Sequence, residues 1–366
     1  MTSLICAFFI SFIVTILVIK TQNIHYELSG DFKLDGPQKM HTKSVPRVGG
    51  LGIALGIIGA LCLQYQLTGR NFHEFALFIC CLPVFTAGFI EDLTKKISVR
   101  IRLIFAALSA YLAIILLNTL ITHIDIPVID LLLSFTPIAI LFSIFAIVGL
   151  TNAYNIIDGF NGLSSMVGMI TLLSIVCIGI EVDDTLITFL SLMMFASILG
   201  FFVWNYPYGL IFLGDCGAYL IGFWISALSI LLVSRNTQIS PWFALLINAY
   251  PIWETLFTVY RRRFHQGKNP GHPDGIHFHS LIFRRVVAPK KKQSENKWCS
   301  ANARTSPSLW LLTSMAVVPA IFFWESTSWL MFFFGFFAFS YGWLYRRIVL
   351  FKTPRWLPAF KNKNRG

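Results

Sequence analysis

Residues Gly162 to Arg235 read GLSSMVGMITLLSIVCIGIEVDDTLITFLSLMMFASILGFFVWNYPYGLIFLGDCGAYLIGFWISALSILLVSR. Three uncharged apolar runs, 162–180, 185–204 and 217–234, are separated only by brief polar breaks. Each run is long enough to carry a helix, at about 1.5 Å per residue, across about 30 Å of hydrocarbon. The same pattern extends outward in both directions, giving further runs at 3–19, 49–69, 75–91, 101–120, 131–150, 241–260, 307–325 and 328–345. Composition agrees: 56% of the 366 residues are hydrophobic and 13% are charged, whereas a globular domain has about 25% charged residues.

The expected fold is therefore an all-α, polytopic membrane bundle of about 11 transmembrane helices. A membrane barrel is excluded, because its short strands would alternate apolar and polar residues. The first run, Ser3 to Ile19, lacks a basic flank and a small-residue cleavage site, so it is read as a helix and not as a signal peptide. Residues 1–345 are expected to form one polytopic domain, and 346–366 a basic tail. The seven cysteines lie mostly within runs and show no paired spacing, which argues against a disulfide framework or a zinc site.

A formal charge of +12 raises the question of nucleic acid, but the basic residues alternate with topology and do not form one face, so no nucleic-acid partner is expected. The connections 20–48, 92–100, 151–161, 205–216 and 261–306, with the tail and Arg102, hold 27 of the 29 Lys and Arg. Only Arg70 and Arg235 fall on the other side. The positive-inside rule makes the basic set cytoplasmic and puts the N-terminus outside. Every loop dense in Asp, Asn, His and Gly belongs to that set, so the chemistry is expected to face the cytoplasm.

Five of these loops carry candidate groups. The first contains Asp35, Lys39, His41 and Arg47, followed by Gly49-Gly50, where backbone N–H groups at a helix start could meet an anion; a basic loop holding anionic lipid is the alternative. The second opens on Glu91-Asp92, and two adjacent carboxylates at a membrane boundary point to a cation or a proton. In the third, Asn152, Asn155 and Asp158 are three residues apart and share a helical face, a plausible magnesium or ribose site, with Asn161 just beyond. The fourth sets Asp215 between glycines, as a magnesium ligand or a simple helix cap. The fifth holds His277 and His279 among arginines, a set better suited to pyrophosphate than to zinc.

In order, the five loops resemble those of the polyprenyl-phosphate N-acetylhexosamine-1-phosphate transferases, across residues 31 to 285, and eleven spans look like the bacterial undecaprenyl-phosphate N-acetylglucosamine-1-phosphate transferase branch. The resemblance implies that Asp215 and Asn155 contribute to a magnesium site, with manganese as the alternative ion, and that Asp158 stands close by in the catalytic centre. It implies Asn161 near a uracil, Glu91-Asp92 at the family's paired-aspartate position, Arg102 near phosphate, and His277 and His279 in its late histidine motif. The chain departs from the pattern at Glu91, at Cys216, at Asp274-Gly275, where an arginine usually follows, and at Ser280 in place of a third histidine. These departures bear on which sugar is used more than on the reaction.

The implied reaction moves an N-acetylated amino-sugar 1-phosphate from a UDP-sugar to undecaprenyl phosphate in the bacterial inner membrane, starting a lipid-linked glycan such as O-antigen. The oligomeric state is left open. A transporter or flippase of lipid-linked sugars is the rival from another class. It would place its ionisable groups near the midplane, whereas the acidic residues here, Glu254 included, read as lying near span ends.

Overall fold

The computed structural model describes residues 1–30, 45–69, 72–265, 267, 275–288 and 295–352. In chain order the helices are α1 (Thr2–Lys20), α2 (Gln22–Ser29), α3 (Gly49–Thr68), α4 (Phe72–Thr94), α5 (Val99–Leu117), α6 (Pro127–Leu133), α7 (Thr136–Ile157), α8 (Leu163–Glu181), α9 (Thr185–Asn205), α10 (Gly214–Arg235), α11 (Pro241–Ile247), α12 (Ala249–Tyr260), α13 (Phe278–Ile282), α14 (Glu295–Phe322) and α15 (Thr327–Val349). Single π-helical turns follow α12 and α13. Among the described residues ten helices are long and apolar enough to cross a membrane, so this is a polytopic all-α membrane protein.

Ten long helices replace the eleven expected runs because the run 241–260 is broken at Asn248 into α11 and α12. Pro251 supplies the reason: in a continuous helix its ring would collide with the carbonyl four residues back, but it is tolerated in the first turn of a new helix. The Asn248 side chain seals the break, donating to Ala244 O at 2.9 Å and accepting from the Tyr154 hydroxyl at 3.2 Å. A second departure lies in the loop 261–306. Residues 275–288 fold back into the bundle with Phe278, Ile282 and Phe283 buried, and the spanning part of α14 begins at Ala301.

Helix α10 is the axis. Every residue from Gly214 to Val233 is buried, as expected of a helix apolar on all sides, and α3, α4, α7 and α8 pack around it. Glycines permit the closest approaches: a Cβ on Gly50 would lie 2.3 Å from Gly217 N, and one on Gly88 2.7 Å from Cys216 Cα. Backbone meets backbone there, as small residues allow in membrane bundles. Gly50→Ala is therefore expected to destabilise the protein by about 1–3 kcal/mol through overpacking, read as a lower melting midpoint in detergent.

At the far end of α10, Arg235 Nε donates to Asp184 Oδ2 at 2.7 Å, and Asp184 also caps α9 through Ile187 N. Burial works to raise the Asp184 carboxyl, but the Arg235 bond and the Ile187 N–H outweigh it and hold the pKa below the ordinary aspartate value. One of the two basic residues on the sparse side is thus neutralised locally.

Candidate active site

The near end of α10 gathers the candidate groups. Gly214 starts the helix at φ +76°, and a Cβ there would lie 1.9 Å from Arg47 O. Only glycine meets both demands. The preceding residues pair with the start of α3: Phe212 N donates to Pro46 O at 2.9 Å, while Gly49 N and Gly50 N donate to Phe212 O and Leu213 O, each at 3.0 Å. The anion expected at those two N–H groups is therefore replaced by carbonyls of the fourth loop, and the paired glycines serve helix packing instead.

The first N–H groups of α10 are satisfied from another helix. Asp92, wholly buried at the end of α4, accepts from Asp215 N through Oδ1 and from Cys216 N through Oδ2, both at 2.9 Å. A carboxylate at a helix N-terminus meets orphan donors and the positive end of the helix dipole. Capping is thereby removed as an explanation for Asp215, whose side chain points elsewhere. Its Oδ1 accepts from Asn155 Nδ2 at 3.1 Å and from Arg47 at 3.4 Å, and its Oδ2 is paired with Arg102. Arg47 also lies 3.8 Å from Asp92 Oδ1.

The adjacent acids of the second loop point apart. Glu91 Oε2 accepts from Ile97 N at 2.7 Å and closes the turn into α5, where Ser98 is the cap. Asp158 ends α7, one turn beyond Asn155. Burial raises its carboxyl to about 8, the nearby Asp215 and Asp92 carboxylates add to the rise, and Arg47 offsets part of it. Asn152, a turn earlier on α7, is partly exposed.

Asn161 is buried, and its groups pin loops together. Its N–H donates to Asn302 Oδ1 at 2.9 Å, its side-chain amide to Pro207 O at 3.2 Å, and its carbonyl accepts from Ser306 at 2.7 Å. Asn205 works similarly, accepting from Gly162 N and donating to Ile211 O.

His277 and His279 stack face to face, with ring centroids 5.1 Å apart and planes at 12°. The His279 ring packs edge-on against Phe160, and a Cβ on Gly159 would lie 3.2 Å from its Nε2. The histidine motif thus sits on the turn that carries Asp158. Asp35, Lys39, His41 and Asp274 lie outside the described residues. The Arg285 guanidinium caps the end of α15 through Ile348 O and Val349 O. Glu254, read from the sequence as lying near a span end and given no role in the site, is buried in the middle of α12. A lone acid in an apolar run was the available signal.

Among the described residues no three His, Cys, Asp or Glu side chains form a metal cage. The donors present still suit magnesium, which commonly takes one or two carboxylates and fills its shell with water and substrate phosphates. Asp215 and Asp158 offer hard carboxylate oxygens, and the Asn155 side chain, whose contact to Asp215 uses its nitrogen, keeps its amide oxygen outside that bond.

Comparison with known proteins gives a consistent result. The family model for glycosyl transferase family 4 matches residues 75–233. The chain is 30% identical over 284 residues to the undecaprenyl-phosphate alpha-N-acetylglucosaminyl 1-phosphate transferase of Thermotoga maritima, covering 77% of this chain and 80% of the relative. It is 29% identical over 247 residues, 67% of each chain, to the probable undecaprenyl-phosphate N-acetylglucosaminyl 1-phosphate transferase of Bacillus subtilis. The corresponding transferase of Escherichia coli O157:H7 is 28% identical, over 68% of this chain and 67% of the relative.

Proposed function

Because this chain belongs to glycosyl transferase family 4, we propose that it transfers an N-acetylated amino-sugar 1-phosphate from a UDP-sugar to undecaprenyl phosphate, releasing UMP. The observation that carries the reading is the convergence of Arg47, Arg102 and Asn155 on Asp215 at the start of a fully buried helix. Phosphoryl transfer requires mainly positioning and charge neutralisation, and these residue types supply both.

The acceptor phosphate oxygen attacks the sugar-bearing phosphorus of the donor. A new P–O bond forms, the bond to the bridging oxygen breaks, and UMP leaves with that oxygen. The acceptor needs no strong base, since a phosphate monoester with a second pKa of about 6 is largely dianionic at neutral pH. Asp215 and the Asn155 side-chain oxygen, with Asp158 beside them, would hold magnesium, which would supply Lewis-acid neutralisation of the diphosphate. Arg47 and Arg102, paired with Asp215 here, exchange part of that pairing for phosphate oxygens as the donor enters. His277 and His279 face the leaving phosphate from the Asp158 turn and donate to it. Asp92 holds the first turn of α10, and hence Asp215, in place.

N-acetylglucosamine is the default sugar, from the names of the relatives, and the departures after Asp274 leave room for a 6-deoxy or other N-acetylated sugar. The product would begin a cell-envelope glycan such as O-antigen. Purified protein incubated with undecaprenyl phosphate and a panel of labelled UDP-sugars tests the reading. UMP release that requires the lipid supports it, whereas release without lipid, or none with any sugar, refutes it.

The site is assigned to the cytoplasmic face of the bacterial plasma membrane, from the distribution of 27 basic residues against two. In a cysteine-free variant, Lys96→Cys is expected to resist an impermeant thiol reagent in intact cells and Thr237→Cys to react. The opposite pattern would reverse the orientation.

A further inference from the structure

Glu254 is fully buried in the bundle, where an uncompensated carboxylate is costly. It is compensated by three groups from two other parts of the chain. Phe278 N donates to Oε1 at 2.9 Å, the Tyr341 hydroxyl donates to Oε2 at 2.9 Å, and His277 Nδ1 lies 3.3 Å from Oε1. Thr258 Oγ1, one turn along α12, stands 3.2 Å from the same imidazole nitrogen. The Phe278 N–H is the one that follows His277 in the chain. One carboxylate thus grips both the backbone and the ring of the histidine loop.

A carboxylate only accepts hydrogen bonds, so its contact with Nδ1 places the proton on that nitrogen. The Nε2 atom of His277 is then left for other work, and the ring plane is fixed by Glu254 on its edge and by His279 on its face. His279 in turn rests against Phe160 and the Asp158-Gly159 turn. From Tyr341 the order of contact is Glu254, His277, His279 and the turn that carries Asp158.

We infer that Glu254 is a positioning residue of the reaction, which sets the proton placement and plane of His277 toward the leaving phosphate from within the buried interior of the bundle. This inference rests on the sugar-1-phosphate transfer proposed above. Carboxylates that orient functional histidines in this way, best documented at metal sites, are worth about 10- to 100-fold in activity or affinity.

The test compares Glu254→Gln and Tyr341→Phe, each in an otherwise native chain and in a His277→Ala chain, by initial rates of lipid-dependent UMP release. Glu254→Gln keeps the shape and an acceptor for Phe278 N, but its amide can donate to Nδ1 and reverse the proton placement. A folded Glu254→Gln protein, judged by size-exclusion profile and melting midpoint, is expected to lose about 10- to 100-fold in kcat with a nearly unchanged KM for the nucleotide sugar. In the His277→Ala chain the same substitution is expected to cost no more than about 2-fold, because its effect runs through the missing ring. Tyr341→Phe is expected to show the same pattern at smaller amplitude, and decides alone where Glu254→Gln does not fold. Full turnover in the folded variant, or equal losses in both backgrounds, would overturn the inference. A native chain inactive with every UDP-sugar would instead overturn the proposed function.

Discussion

Asp215→Asn is expected to leave a folded protein whose turnover falls by about 10²- to 10³-fold, the scale of removing one preorganised charge partner from a reaction centre. The expectation of folding follows from the site itself. Asp92, and not Asp215, satisfies the first N–H groups of α10, so the substitution leaves the helix start intact. An amide oxygen still accepts from one of the two arginines, and Arg47 retains Asp92 within 3.8 Å. What is lost is the charge that a magnesium ion would share with the substrate phosphates. Raising magnesium or supplying manganese should therefore recover part of the turnover. Near-native rates in detergent-stable Asp215→Asn protein at ordinary magnesium would remove Asp215 from the metal site.

Asp92→Asn is expected to behave differently, losing turnover and stability together. Both carboxylate oxygens accept a backbone N–H, and a side-chain amide offers only one acceptor. One buried N–H is then unpaired, at about 1–3 kcal/mol, and the negative charge at the helix start, worth up to about 2 kcal/mol when partly buried, is lost as well. The melting midpoint should fall by several degrees. Because Asp215 rides on the same turn, a small displacement there is expected to cost about 10²-fold in rate, and added magnesium should not restore it. A residue serving only as a proton acceptor would lose rate with the melting midpoint unchanged, and that result would refute the capping role.

The helices and the order of the polar loops were legible from hydropathy and charge alone, because each run carries its own periodicity and length. The break at Asn248 was not, since apolar composition continues across it; Pro251 was the local signal and was passed over. Asp215 and Asn155 were picked out by residue type and position and Arg102 by the family resemblance, and the structure brings all three together. The mutual arrangement was out of reach, because Asp92 and Cys216 are separated by 124 positions and only the helix crossing at Gly88 makes them neighbours. Glycines 49 and 50 were misread for the same reason: a free helix start and one stitched to another loop have the same sequence. Glu254 was placed near a span end and given no role, because its partners, His277 and Tyr341, come from segments that fold back on it.

The burial of α10 has a mechanical consequence. Helices that face the bilayer tilt or stretch when its thickness changes, at fractions of a kcal/mol per Å. From Gly214 to Val233 this helix is walled off by its neighbours, so such strain reaches Asp215 only after the surrounding shell has absorbed it. The depth of the reaction centre is thus referenced to protein and not to membrane, while an acceptor dissolved in the bilayer is carried by a medium of variable depth.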